Sequence, residues 1–268
     1  MQPEQPVGIF DSGVGGLTVA NAIRHLLPEE NLIYFGDTAH LPYGDKSKET
    51  ITYYSERIAA FLLDQKCKII VIACNTASAN AYESVVKLVG NRAIVINVID
   101  PVVAHIASLE NISSIGVVGT KGTINSGTYE TKLKVFKPTL NVVSMATPLL
   151  VPMIEEGFIF DDISNAIIRS YLSKKELSGI DSLILGCTHY PIIKNQINKF
   201  YNFKINVIDS SKIVAMYLRK VLLENGLINQ GKNTELKFYV SDYTDYFKAI
   251  SKLFFEEEIN LEKLNFWN

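Results

Sequence analysis

The sequence predicts an α/β protein of two similar lobes, each a mostly parallel sheet covered by helices, with a site in the cleft between them. Short apolar strands alternate with amphipathic helices along most of the 268 residues, a pattern typical of parallel sheets covered on both faces. The tetrapeptide Asn-Val-Ile-Asp occurs at residues 97–100 and again at 206–209. A cysteine at the end of an apolar run precedes each copy, Cys74 in ACNT and Cys187 in GCTH. These landmarks recur in the same order, which predicts a pseudo-twofold relation between the lobes.

The predicted elements follow from run length and spacing. Apolar runs with the length of buried strands span residues 7–10, 32–35, 68–73, 94–99, 115–118, 142–145, 182–185, 205–208 and 236–240. Apolar residues at three-to-four spacing predict helices over 17–27, 48–66, 78–89, 191–197 and 246–255. The repeat then predicts where the chain divides. Residues 1–98 plus 210–268 form lobe A, with Asp11 and Cys74, and residues 99–209 form lobe B, with Cys187 and His189.

Composition excludes several classes of function. The chain is 47% hydrophobic and carries a net charge of −2 without a basic block, so we expect neither a nucleic-acid nor a membrane partner. No apolar run reaches the roughly 18 residues of a membrane span. The three cysteines have no CxxC spacing, which argues against disulfides and a metal site, and Cys67 is interpreted as structural. We expect a soluble cytoplasmic protein.

The two remaining cysteines have matching surroundings. Each follows a buried strand and is predicted to open a helix, where free backbone N–H groups and the helix dipole favour a thiolate. If the lobes face each other, Cys74 and Cys187 converge on one ligand from opposite sides. One thiolate can then remove a proton from carbon while the other thiol returns a proton to the opposite face. Such an inversion of a stereocentre needs no cofactor and no metal.

Polar residues at the same strand ends complete the predicted site. Asp11 and Ser12 follow the first strand, and His189 lies two residues beyond Cys187; we expect them to assist a thiol or hold an ammonium group. We expect Asn75, Thr76 and Thr188 to bind a carboxylate of the ligand. Tyr43 and Gly44 could bind a second polar group. The run at residues 13–16, GVGG, lacks the GxGxxG spacing because residue 18 is Thr, so we interpret it as a tight turn beside the ligand.

Five motifs together resemble the glutamate racemases, a family of the aspartate/glutamate racemase superfamily. They are GIFDSGVGGLTV, YFGDTAHLPYG, ACNTASA, VPMIEEG and GCTHYP. The resemblance implies cofactor-independent interconversion of L- and D-glutamate, which supplies D-glutamate for peptidoglycan, by a cytoplasmic homodimer. It implies that Cys74 is the base toward D-glutamate and Cys187 the base toward L-glutamate, with Asp11 and His189 as their helpers.

The resemblance also implies which residues line the substrate site. They are Asp11, Ser12, Tyr43, Gly44, Asn75, Thr76, Thr188 and His189, with Glu155, Thr120 and Thr123 in support. One position departs from the family, because many relatives have Arg where this chain has His40. A salt bridge made by that Arg is therefore not expected here.

Two other functions stay open. The chain could be another racemase or isomerase of the superfamily, acting on aspartate, a hydantoin or a maleate-type substrate. It could also be an amino-acid-binding regulatory protein, although a pure sensor has no need of two acid–base thiols.

Overall fold

The computed structural model describes residues 1–231 and 234–267 and contains two parallel sheets covered by helices. Strands of the first half are β1 (Val7–Asp11), β2 (Leu32–Gly36), β3 (Ile69–Ile72) and β4 (Ile94–Asn97). Those that follow are β5 (Ser114–Gly119), β6 (Asn141–Ala146), β7 (Ser182–Gly186), β8 (Asn206–Asp209), β9 (Leu236–Val240) and β10 (Leu261–Lys263). We call the six-stranded sheet, in the order β10-β9-β2-β1-β3-β4, sheet A, and the four-stranded sheet, in the order β6-β5-β7-β8, sheet B.

The two sheets share one topology. In each, the first strand lies between the second and third strands, the fourth follows the third, and all pairs are parallel. Sheet A carries β9 and β10 in addition, beyond β2. Since all strands of a sheet run the same way, the loops after their carboxyl ends gather at one edge, where ligands bind in open α/β sheets.

Helices cover both sheets. They are α1 (Leu17–Leu26), α2 (Lys48–Asp64), α3 (Asn75–Val89), α4 (Ile99–Ala107), α5 (Lys121–Asn125) and α6 (Thr128–Phe136). The later ones are α7 (Leu150–Glu155), α8 (Asp162–Leu172), α9 (Lys194–Phe200), α10 (Ser210–Glu224) and α11 (Asp245–Phe254). Within the described residues, no helix combines the length and the apolar character that a membrane span requires.

The α/β fold class is confirmed, with boundary shifts of a few residues. Every predicted strand is present, because strands buried on both faces read as continuous apolar runs. Helix α3 begins at Asn75 rather than 78, since Cys74 caps it. The helix predicted over 191–197 is a 3-10 helix, Tyr190–Ile193, followed by α9. The division into lobes at 98/99 and 209/210 stays a prediction. Residues 232, 233 and 268, which predicted lobe A includes, lie outside the described residues.

A buried ion pair holds the start of β3 to two distant segments. Lys68 Nζ lies 2.6 Å from Glu30 Oε2, and both side chains are almost fully buried. Lys68 also donates to the carbonyl oxygens of Pro3 and Leu227, and Glu30 Oε1 accepts from the Asn229 N–H. The ammonium and the carboxylate are thus hydrogen-bonded on several sides, as burial of charge requires.

Removing one member of this pair should destabilise the fold strongly. Lys68→Met leaves the Glu30 carboxylate buried without a counter-charge, and we expect the free energy of unfolding to fall by about 3–5 kcal/mol in urea titrations. The matched control is Lys220→Met, which breaks the exposed Lys220–Glu224 pair and should cost under about 1 kcal/mol. Equal losses in the two variants would contradict the prediction.

Candidate active site

A cavity of about 300 Å³ lies where loops from the carboxyl ends of both sheets meet. Sheet A contributes residues after β1, β2 and β3, and sheet B contributes residues after β5, β6 and β7. The lining residues are Ser12, Leu41, Pro42, Tyr43, Gly44, Asp45, Cys74, Asn75, Thr76, Thr120, Lys121, Thr147, Pro148, Val151, Pro152, Glu155, Gly186, Cys187, Thr188 and His189. The two thiols therefore share one cavity, each at the end of the third strand of its own sheet.

The structure brings most of the sequence-predicted site residues to this cavity. Those that line it are Ser12, Tyr43, Gly44, Cys74, Asn75, Thr76, Thr120, Glu155, Cys187, Thr188 and His189. Asp11 and Thr123 do not line it and are buried. Thr123 lies behind the wall, where its hydroxyl is 3.2 Å from that of Thr76 and 3.1 Å from that of Thr120. Cys67 lies in the core away from the cavity.

Cys74 is the N-cap of α3. Its Sγ accepts from the Ala77 N–H at 3.5 Å and donates to Ser12 Oγ at 3.7 Å. Burial, together with the charge of Asp11, raises the pKa of Cys74 to about 12, against the lowering effect of the Ala77 N–H. The sequence predicted that the helix terminus favours a thiolate here. Desolvation outweighs that effect and favours the thiol form of Cys74.

Cys187 has different neighbours. It does not cap an α-helix as the sequence predicted, because the 3-10 helix Tyr190–Ile193 separates it from α9. Its Sγ lies 3.7 Å from His189 Nδ1, and His189 Nε2 lies 2.9 Å from Glu155 Oε1. Burial alone would lower the pKa of His189, but the hydrogen bonds and charges of Cys187 and Glu155 raise it to about 10. These neighbours therefore favour the protonated form of the imidazole.

Asp11 faces the glycine-rich turn instead of the cavity. Its Oδ2 accepts from the N–H groups of Gly13 at 3.1 Å and Gly16 at 3.0 Å, and Thr188 Oγ1 lies 3.5 Å from Oδ1. Burial raises the pKa of Asp11, while His189 and these N–H groups lower it. Asp11 can thus act on the cavity through its charge and through Thr188, one residue from Cys187.

Asn75 lines the cavity and carries a buried amide group. Tyr129 OH donates to Asn75 Oδ1 at 2.8 Å, while Asn75 Nδ2 is buried and has no acceptor among the described residues. Next to it, the hydroxyls of Thr76 and Thr120 lie 2.8 Å apart. An amide N–H beside two hydroxyls and the first turn of α3 is suited to a carboxylate.

Several residues that line the cavity were not predicted from the sequence. Lys121 lies in GTKGT and Thr147 directly follows β6, so their places after the carboxyl ends of β5 and β6 could have indicated them. Val151 and Pro152 reach the cavity because α7 packs beside His189, which no local pattern shows. Asp45 and Lys121 pair across the mouth at 3.2 Å, both more than half exposed.

Comparisons with known proteins identify relatives of this chain. A sequence model described as Asp/Glu/hydantoin racemase matches residues 17–218. Glutamate racemase from Geobacter metallireducens is 40% identical over 256 residues, which cover 94% of this chain and 93% of that protein. The crystal structure of glutamate racemase from Francisella tularensis in complex with D-glutamate superposes with a TM-score of 0.93 at 40% identity, covering 99% of both chains.

A second solved structure supports the same assignment. Glutamate racemase from Bacillus anthracis has a TM-score of 0.93 at 31% identity and covers 98% of both chains. The likeness extends over sheet A, sheet B and the loops between them. The chain therefore belongs to the Asp/Glu/hydantoin racemase family of isomerases.

Proposed function

We propose that this enzyme interconverts L- and D-glutamate by a two-base proton transfer at Cα, with Cys74 as the base toward D-glutamate and Cys187 as the base toward L-glutamate. The observation that carries the proposal is the pair of buried cysteines at equivalent strand ends on one 300 Å³ cavity. Glutamate as the substrate is supported by the glutamate racemase relatives, among them the Francisella structure that holds D-glutamate.

Each turnover moves two protons and needs no redox step. In the D-to-L direction the Cα–H proton passes to the Cys74 sulfur, and the electron pair left on Cα spreads into the α-carboxylate. The Cys187 thiol then gives its proton to the opposite face of Cα, which forms the inverted C–H bond. We assign the α-carboxylate to Asn75 Nδ2, Thr76 and Thr188, where preorganised donors lie close together.

The substrate itself helps to produce the thiolate of Cys74. Burial and the charge of Asp11 raise the pKa of this thiol to about 12, so these surroundings disfavour a negative sulfur. An ammonium group placed near Ser12 would offset the charge of Asp11 and reduce that cost. We therefore assign the substrate ammonium to the Asp11 side of the cavity.

On the opposite side, the His189–Glu155 pair serves Cys187. A protonated imidazole 3.7 Å from the sulfur stabilises negative charge on it and can return a proton to it. Glu155 holds the ring through Nε2 and so keeps Nδ1 directed at Cys187. His189 acts on the sulfur directly, and Glu155 is a positioning residue.

The remaining parts of the proposal rest on the family resemblance. They are the supply of D-glutamate for peptidoglycan, a cytoplasmic location and a homodimeric assembly. The division of the chain into lobe A (1–98 plus 210–268) and lobe B (99–209) is proposed with them, and the repeated 2-1-3-4 strand order of the two sheets supports it.

Loss of either cavity thiol should abolish racemisation while loss of the third cysteine should not. We expect Cys74→Ala and Cys187→Ala each to lower kcat by about 10²–10⁴-fold, the contribution of a positioned acid or base. The assay is decay of the circular dichroism of D-glutamate with dialysed protein, without pyridoxal phosphate or metal.

Cys67→Ala is the matched control, because Cys67 is buried but lies outside the cavity; its kcat should stay within about twofold of wild type. A folded wild-type protein that leaves the glutamate signal unchanged would exclude glutamate as the substrate. Aspartate and hydantoins would then be tested, followed by ligand binding without turnover.

The His189–Glu155 pair also predicts how stability varies with pH. His189 binds its proton more tightly in the folded protein, with a pKa of about 10, than in the unfolded chain, where histidine titrates near about 6.5. This stabilisation is complete below about pH 6.5 and is lost as the pH rises through about 10. The free energy of unfolding should therefore fall between about pH 7 and 8, and the contribution of His189 to this fall is at most about 1.4 kcal/mol per pH unit.

Glu155→Gln removes a charge that raises the pKa of His189, so urea unfolding of this variant should show a smaller slope over the same range. Glu156→Gln, which changes the exposed neighbouring carboxylate, should keep the wild-type slope. Identical slopes in wild type and Glu155→Gln would show that the pair does not hold the His189 proton.

A further inference from the structure

A buried carboxylate outside the cavity gathers four side-chain donors. Asp37 follows β2 and is fully buried. Its Oδ1 accepts from Trp267 Nε1 at 2.8 Å and from Ser241 Oγ at 2.7 Å, and its Oδ2 accepts from Tyr43 OH at 2.7 Å. His40 Nδ1 lies 3.0 Å from both oxygens. Four donors saturate the acceptor sites of one carboxylate.

These donors come from widely separated parts of the chain. Ser241 directly follows β9, and Trp267 lies four residues beyond β10. Tyr43 and His40 belong to the connection between β2 and α2. Asp37 therefore joins the C-terminal segment, which belongs to sheet A, to the connection that carries the cavity-lining residues 41–45.

Tyr43 links Asp37 to the cavity wall. Its ring is 1% exposed and its hydroxyl points to Asp37, while the residue itself and Gly44 line the cavity. Gly44 packs so closely on sheet B that a Cβ there would lie 2.8 Å from Thr120 Cβ. A small movement of this loop would therefore alter both the wall and its contact with Thr120.

An aromatic cluster encloses the Trp267–Asp37 bond. The His40 ring stacks on Tyr54 with centroids 4.1 Å apart, and Trp267 meets His40 edge-on at 4.7 Å. Phe266 packs on Trp267 at 4.7 Å. His40 does not line the cavity and is turned toward Asp37. The ring contacts limit the access of water to the carboxylate, which strengthens its hydrogen bonds.

We propose that Trp267 and Asp37 are positioning residues for the reaction, which act through Tyr43 to fix the cavity-lining loop at residues 41–45. This inference rests on the proposed racemase function. An indole N–H donates and cannot accept, so Trp267 requires an acceptor and holds the carboxylate toward the C-terminal segment. Tyr43 OH binds the other oxygen, so the position of the carboxylate sets the position of the loop.

Trp267→Phe tests the proposal, because it keeps an aromatic ring and removes the N–H. The loop lines the cavity that we propose to hold glutamate, so its displacement should weaken ground-state and transition-state binding alike. We expect the KM for glutamate to rise about three- to tenfold, with kcat within about twofold of wild type, which corresponds to the net loss of one ordinary hydrogen bond. The control is Tyr53→Phe, which removes a hydroxyl from the same aromatic patch and should leave both constants unchanged.

A double variant shows whether Trp267 acts through the Tyr43–Asp37 link. The KM increases of Trp267→Phe and Tyr43→Phe should be less than multiplicative when combined, because both changes release the same loop. Ser241→Ala removes another Asp37 donor and should raise KM in the same direction even if Trp267→Phe fails to fold.

The outcomes separate the two proposals. A wild-type protein without racemase activity contradicts the proposed function. An active wild type with unchanged KM in folded Trp267→Phe and Ser241→Ala variants overturns the positioning role. A lower melting temperature with unchanged KM would likewise overturn it, since the C-terminal segment would then contribute to stability alone.

Discussion

The close approach of the two halves at three glycines is the constraint on which the site depends. A Cβ at Gly15 would lie 2.3 Å from the His189 ring, one at Gly44 2.8 Å from Thr120, and one at Gly122 2.8 Å from Thr76. Heavy atoms do not approach this closely, so any larger residue at these positions would force the halves apart. Each contact includes at least one residue that lines the cavity, namely His189, Gly44 with Thr120, and Thr76. Burial of both thiols, and with it the raised pKa of Cys74, follows from that approach.

The two thiols occupy equivalent strand ends but opposite electrostatic surroundings. The negative charge of Asp11 raises the pKa of Cys74, whereas Cys187 lies beside His189, whose pKa is raised and whose protonated form is favoured. An amino acid carries an ammonium group and an α-carboxylate, so it can complement this polarity if the ammonium lies on the Asp11 side. The binding of such a ligand would make the electrostatic environments of the two sulfurs more alike. Inversion of a stereocentre needs that balance, because each sulfur must be a base in one direction and an acid in the other.

Sequence reasoning succeeded where a local pattern encodes the structure. The strands were predictable because burial on both faces demands continuous apolar runs, and the cavity thiols because residues after parallel strands meet at one edge. It failed where tertiary packing decides. Nothing local shows that Asp11 turns back to Gly13 and Gly16, or that burial outweighs the helix terminus at Cys74. The bond from Trp267 to Asp37 joins residues 230 positions apart, a separation that no spacing rule can bridge.

The loops after the second strand of each sheet are supported differently, and only the loop of sheet A depends on residues from a distant part of the chain. Asp37 N–H donates to Asp11 O at 3.0 Å, and the equivalent Thr147 N–H donates to Gly119 O at 2.9 Å. After Thr147 the chain enters α7 at Leu150, and Tyr190 OH lies 2.7 Å from Thr147 Oγ1, so a helix and a neighbouring tyrosine support that wall. After Asp37 the chain runs through two 3-10 turns before α2 begins at Lys48. This long connection has little regular structure of its own. Strands β9 and β10, which sheet B lacks, bring Ser241 and Trp267 to the Asp37 carboxylate, and that carboxylate fixes the connection between β2 and α2.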